Sequence, residues 1–203
     1  MTVSYPPDLT MAAARTRYFE NNGFGPDGGY GAAWVDFKLG PIPFPFPNTP
    51  QRIDAVKFHD LHHVLTGYDT DFAGELEISA WEIAAGCKCY AAAWVVNLGG
   101  IAAGLVTSPG RVFAAFLRGR HSSTVYGEAF EPLLERTVGE LRAAHVAAPA
   151  RRASLSDVLL FVLASAGGLA VAATLLTVVV PLVPVGLALG WWRRRTRTGD
   201  VAA

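Results

Sequence analysis

At 203 residues, with 51% hydrophobic and 17% charged side chains, the chain is long enough for one ordinary domain plus an appendage and is apolar for a soluble one. Lys plus Arg (17) equals Asp plus Glu (17), so there is no basic field of the kind that nucleic-acid binding requires. The chain has no GxxxxGK phosphate cradle and no internal repeat, which leaves nucleotide-dependent chemistry unsupported.

The first thirty residues lack the basic start, apolar core and small-residue cleavage site of a secretory signal, so the N-terminal domain is expected in the cytoplasm. Leu9 to Asn22 has helical character and Gly23 to Gly31 is glycine-rich. Ile42-Pro43-Phe44-Pro45-Phe46-Pro47 alternates proline with apolar residues and reads as an extended covering loop; the functional alternative has Phe44 and Phe46 walling an apolar channel.

The most informative string follows: His59-Asp60-Leu61-His62-His63, eleven residues, then Glu75. On a helix, positions i and i+4 lie about 40° apart and i+1 about 100° from i, so His59, His63 and Asp60 can converge while His62 falls on the other side of His59. Imidazole nitrogens and carboxylate oxygens suit Zn²⁺ or a similar divalent ion, and Glu75 would bring the protein ligands to four. The competing reading of the bare pentad is a solvated polar helix face. Gly67 suits a helix C-terminal cap, and Tyr68-Asp69-Thr70-Asp71 is a polar turn able to cap a new helix near Phe72. A helix, a tight connection and a second helix would fold Glu75 back toward His59 and His63.

Asn48 to Arg52, Val56 to Gly67 and Gly74-Glu75 together resemble the coenzyme Q biosynthesis protein 4 family, whose HDxxH-x11-E signature is matched at every fixed position. The resemblance covers residues 10 to 145, with its specificity between Asn48 and Glu82. It implies an all-helical fold, a divalent metal held by His59, Asp60, His63 and Glu75, an apolar channel for a polyprenyl chain, and oxidative decarboxylation at C1 of a polyprenyl hydroxybenzoate-type ring. Zinc leads as the metal, with magnesium, iron and manganese as alternatives.

Glu82, seven residues after Glu75, returns to nearly the same helical face and is a secondary candidate that would orient a ligand histidine or lie on the surface. Cys87 and Cys89, at i, i+2, point about 200° apart on a helix, which argues against a shared metal or a mutual disulfide and favours packing roles in a reducing compartment. Tyr90 to Val106 is uncharged and reads as a buried helix whose small residues leave room for a lipid chain, with a shallow membrane-dipping segment as the alternative. Arg111 to Arg142 is amphipathic; within it Arg118 and Arg120 are secondary candidates for a phosphate or carboxylate head group, set against ordinary surface arginines.

A composition break at Pro149-Ala150-Arg151-Arg152 divides a helical metal-binding domain, 1–149, from a membrane anchor, 150–203. Leu155 to Trp192 carries one charged residue, Asp157, and Arg193-Arg194-Arg195 follows. A bilayer core needs about 20 helical residues, so this tract is expected in a membrane. Pro181 and Pro184 interrupt it and arginines flank both ends, which favours a hairpin or re-entrant loop with Trp191-Trp192 at the interface over a single span. The Ala-, Arg- and Gly-rich composition suits a bacterium, hence an inner-membrane location.

The sequence is therefore read as all-α, with a metal-dependent oxidative decarboxylation of a prenylated aromatic lipid as its leading activity. Expected partners are that lipid, the membrane, other quinone-biosynthesis enzymes and a second copy of the chain. Two further readings stand beside it: a non-catalytic lipid-binding scaffold, and a His-Asp phosphohydrolase, for which His121 and His145 lack adjacent aspartates.

Overall fold

The computed structural model describes residues 4–35, 38–39, 42–43, 46–149 and 152–199. It is all-helical apart from two short hairpins. Helix α1 (Met11–Asn22) starts where the Thr10 hydroxyl accepts from the Ala13 N–H, and it buries Met11, Ala14, Tyr18 and Phe19 along one stripe. Strand β1 (Trp34–Val35) pairs antiparallel with β4 (Phe46–Pro47), enclosing the pair β2 (Lys38–Leu39) and β3 (Ile42–Pro43). The described parts of the proline-alternating stretch, Ile42–Pro43 and Phe46–Pro47, are thus extended and paired. Phe44 and the Phe46 side chain, proposed as channel walls, lie outside the described residues.

Helix α2 (Pro50–Thr66) begins with Thr49 as its cap and Pro50 in the first turn, where a missing N–H costs nothing, and ends at Gly67 with φ 75°. Helix α3 (Phe72–Ala85) starts at once, the Asp71 carboxylate accepting from the Gly74 N–H at 2.7 Å. Helices α4 (Ala91–Thr107) and α5 (Pro109–Arg120) both pack on α3, which supplies the fully buried Ile78 and Trp81. Two short helices, α6 (Phe130–Glu135) and α7 (Val138–His145), the latter begun by a Thr137–Glu140 capping box, close the far side over α1 and α2.

Helix α8 (Leu155–Gly199) lies on α4 and α5. Asp157 binds both the Ser154 backbone N–H and hydroxyl at its start and receives the Arg120 guanidinium at 3.2 Å, while Phe161 meets Phe113 and Phe116 edge-on. Its Leu155–Val178 portion is long and apolar enough to cross a membrane, and little of it is buried in the protein. The backbone stays helical through Pro181 and Pro184, so the expected reversal at the prolines is corrected to one continuous helix. A reversal needs residues that free the backbone to turn, and between the prolines stand only Leu182 and Val183. The side chains of Trp191 and Trp192 lie outside the described residues.

Helix α4 departs from the buried helix expected for Tyr90 to Val106. It is half-buried: Ala93, Asn97, Ile101, Ala102 and Gly104 face inward, and Trp94, Val95, Val96 and Val106 face out.

The α2–α3 connection is closed sterically as well as by caps. A Cβ on Gly74 would stand 2.1 Å from the Asp69 carbonyl oxygen. Gly74→Ala is therefore expected to push the first turn of α3 away from α2 and to lower stability by about 2 kcal/mol, the scale of overpacking a tight contact, read as a fall in Tm on thermal unfolding.

Candidate metal centre

The short connection places Glu75, on the first turn of α3, opposite His59 and His63 on α2. The Gly67 N–H bonds back to the His63 carbonyl at 2.9 Å, ending α2 one turn beyond the second histidine. His59, His63 and Glu75 then present ligand atoms within 4.8 Å of one another.

Hydrogen bonding fixes which imidazole atoms face this point. His63 Nδ1 lies 3.0 Å from the Tyr68 carbonyl oxygen, which can only accept, so Nδ1 carries the proton and Nε2 offers a lone pair. His59 Nδ1 lies 2.9 Å from Glu82 Oε1, and the same logic leaves its Nε2 free as an acceptor. The two Nε2 atoms are 3.1 Å apart. Each Glu75 oxygen faces one of them, at 3.5 Å from His59 Nε2 and 3.4 Å from His63 Nε2. Two lone pairs and a carboxylate pointed at one spot require a positive charge between them. Donor atoms about 2.1 Å from a shared ion stand about 3.0 Å apart at right angles and about 3.4 Å apart in a tetrahedron, so the observed separations fit a metal ion.

Protonation states agree. Burial works against a charged His59, but the Glu82 and Glu75 carboxylates outweigh it and hold its pKa well above the usual histidine range. Burial likewise works against an ionised Glu75, yet its hydrogen bonds and proximity to the two imidazoles bring it down to about 2. Without metal, a proton on His59 occupies the role a cation would take.

Behind the site sits Glu82, with no solvent exposure, and four donors converge on it. Its Oε1 takes the His59 and His62 Nδ1 protons, the latter at 2.6 Å; its Oε2 takes the Tyr126 hydroxyl at 2.9 Å and the Asn97 amide. Burial alone would raise its pKa, but the imidazoles hold it well below the carboxylate range. His62, fully buried, accepts the Val125 backbone N–H on Nε2, which leaves Nδ1 to donate to Glu82; burial pushes its pKa down and keeps it neutral. Glu82 is thus a buried carboxylate that orients the His59 and His62 rings rather than a surface one. Cys87, fully buried, rests its thiol on the Glu82 carbonyl, with its pKa pushed up to about 12 by burial, whereas Cys89 is exposed.

Asp60 does not join the His59–His63–Glu75 group. Its Oδ1 accepts from the Tyr18 hydroxyl at 3.3 Å and its Oδ2 from Tyr30 at 2.5 Å. The 100° step from His59 to Asp60 turns the carboxylate toward α1 and the glycine-rich loop, where these phenols wait. Tyr18 also stacks on His63, ring centroids 5.6 Å apart. Arg118 and Arg120 are engaged elsewhere as well. Arg118 donates to the Thr66 and Ala147 carbonyls and lies over the Tyr68 ring, and Arg120 pairs with Asp157. A cavity beside His63, lined by Tyr18, Asn22, Tyr68 and Thr70, holds about 10 Å³, room for one water and far too little for a polyprenyl chain. The side open to solvent is that of Glu75, whose side chain is 44% exposed.

Sequence reasoning passed over Asn97, Tyr126, Tyr18 and Tyr30. Asn97 carried a signal: it is the one hydrogen-bonding amide in the uncharged Tyr90–Val106 tract. Compared with family models, with curated proteins and with solved structures, the chain matches none.

Two outcomes test the geometry. Glu82→Gln removes the charge that orients His59, and is expected to weaken metal binding about 10- to 100-fold, measured by competition with a chelator. It should also cost about 3 kcal/mol of stability, since it breaks a buried charge network. Because the His59 pKa is raised, its proton must leave before Nε2 can ligate. Metal uptake is expected to release about one proton, and affinity to climb about tenfold per pH unit until that proton is gone, read by calorimetry in buffers of different ionisation heat.

Proposed function

We propose that the protein is a membrane-anchored metalloenzyme of prenyl-quinone synthesis that replaces the C1 carboxyl of a polyprenyl hydroxybenzoate-type ring by hydroxyl, as its resemblance to the coenzyme Q biosynthesis protein 4 family implies. The observation that carries this reading is the convergence of His59 Nε2, His63 Nε2 and Glu75 with their tautomers set from behind. Two histidines and one carboxylate on one side of an ion leave its other positions open, which suits catalysis better than a closed structural site and is the arrangement of non-haem iron oxygenases. Iron therefore joins zinc as a leading occupant. With Asp60 engaged by Tyr18 and Tyr30, the four-ligand shell that would favour a scaffold is not formed by these four residues.

The net change is ArCOOH + O₂ + 2e⁻ + 2H⁺ → ArOH + CO₂ + H₂O, with dioxygen and an external two-electron donor as co-reactants. A bound divalent ion would supply Lewis acidity toward the substrate carboxylate and, if redox-active, a site for dioxygen. The chain's own part is positional. Glu82 and the Tyr68 carbonyl hold the two imidazoles in one tautomer, Glu75 supplies the anionic ligand on the open side, and the Tyr18–Asp60–Tyr30 group walls the other. A lipid substrate in the membrane beside α8 would be delivered at high local concentration.

His59→Ala and Glu75→Ala are expected to lose metal by elemental analysis of detergent-purified protein, while Asp60→Asn keeps it. Full metal content in both alanine variants would refute the site. A stoichiometric metal with a co-purified prenylated aromatic acid supports the enzyme; metal with bulk phospholipid alone favours the scaffold.

A further inference from the structure

The outward face of α4 has neither charge nor a described protein partner. No acidic or basic residue stands between Lys88 and Arg111. Trp94, Val95, Val96 and Val106 are 37, 44, 67 and 83% exposed. The amide side chain of this tract, Asn97, is turned inward to Glu82.

What adjoins this face decides its meaning. Helix α8 packs on α4 so closely that a Cβ on Gly168 would come within 2.5 Å of the Leu98 carbonyl oxygen. Along the same stretch of α8, Leu159, Val162, Leu163 and Leu169 are also more than half exposed. The two helices therefore present aliphatic surface side by side.

The apolar tract of α8 offers a bilayer two placements, because Leu155 to Trp192 is far longer than the roughly 20 residues a hydrocarbon core spans. A distal placement, from Ala173 onward, leaves the outer faces of α4 and of the first half of α8 in water. A proximal placement buries both, which the hydrophobic effect favours. The ends of α4 fit the second. At one end the Trp94 indole N–H donates to the Lys88 backbone carbonyl at 2.9 Å, which holds an amphipathic ring at the edge of the uncharged tract, and the first charge beyond the other end is Arg111, paired with Glu77.

We propose that α4 is immersed with α8 in the bilayer, its Trp94, Val95, Val96 and Val106 side chains contacting acyl chains. The placement rests on the membrane reading of α8. It makes α4 a direct link between lipid and metal centre, because Asn97, on its inner face, holds the carboxylate that orients His59.

The test uses the full chain carrying Cys89→Ser, with the fully buried Cys87 retained, in vesicles of phosphatidylcholine and phosphatidylglycerol. Single nitroxides are placed through Val96→Cys, Val106→Cys, Val162→Cys, Leu176→Cys and Asp54→Cys, and collisions with oxygen and with a water-soluble nickel chelate are compared. Positions 96 and 106 are expected to match 162, with oxygen collisions favoured several-fold over those at 54. If 96 and 106 instead behave like 54 while 176 reports lipid, the bilayer sits on the distal part of α8 and the proposal is overturned. If 162 and 176 are aqueous too, the membrane reading falls with it. Elemental analysis of each labelled variant keeps the two readings apart: metal retained in a protein whose positions 96 and 106 are aqueous overturns the placement alone.

Discussion

A single buried carboxylate organises this molecule. Glu82 on α3 receives His59 and His62 from α2, Asn97 from α4 and Tyr126 from the loop before α6. An ionised group with no access to water is costly unless each lone pair is satisfied, and here four donors satisfy them. The same contacts that make the charge tolerable fix the relative positions of α2, α3 and α4. Moving any one of these helices would strand the carboxylate, so fold and site are held by one constraint.

The far end of α2 is held by a second device of the same kind. Arg118 donates to the Thr66 carbonyl, and Arg142 to the Val64 and Leu65 carbonyls, all groups left without helical partners at a C-terminus. The helix that carries both His59 and His63 is thus fixed at its end by side chains from α5 and α7. Arg118, a head-group candidate from sequence, thus spends its Nε and Nη1 on the Ala147 and Thr66 carbonyls.

The legible parts of the sequence were the local ones. Gly67 and Asp71 announced the end of α2 and the start of α3, and spacing alone brought His59, His63 and Glu75 together. Asp60 was misplaced by the same arithmetic, because a 100° step leaves a side chain free to face either neighbour, and the phenols that claim it lie 30 and 42 residues away. Tyr126, 44 residues from Glu82, is equally invisible to periodicity. The prolines of α8 misled in the opposite direction: they signal a break, but the backbone stays helical through both.

The layout along the chain also orders events during synthesis. Every donor to Glu82, and the His59–His63–Glu75 group, precede residue 149, so this cluster can assemble while α8 is still being made. The Leu98 backbone against which Gly168 rests, and the Phe113 and Phe116 rings that meet Phe161, stay bare until α8 arrives. For that interval the nascent chain is a folded domain displaying an uncovered greasy side, the condition in which chaperones engage and in which self-association competes with membrane delivery.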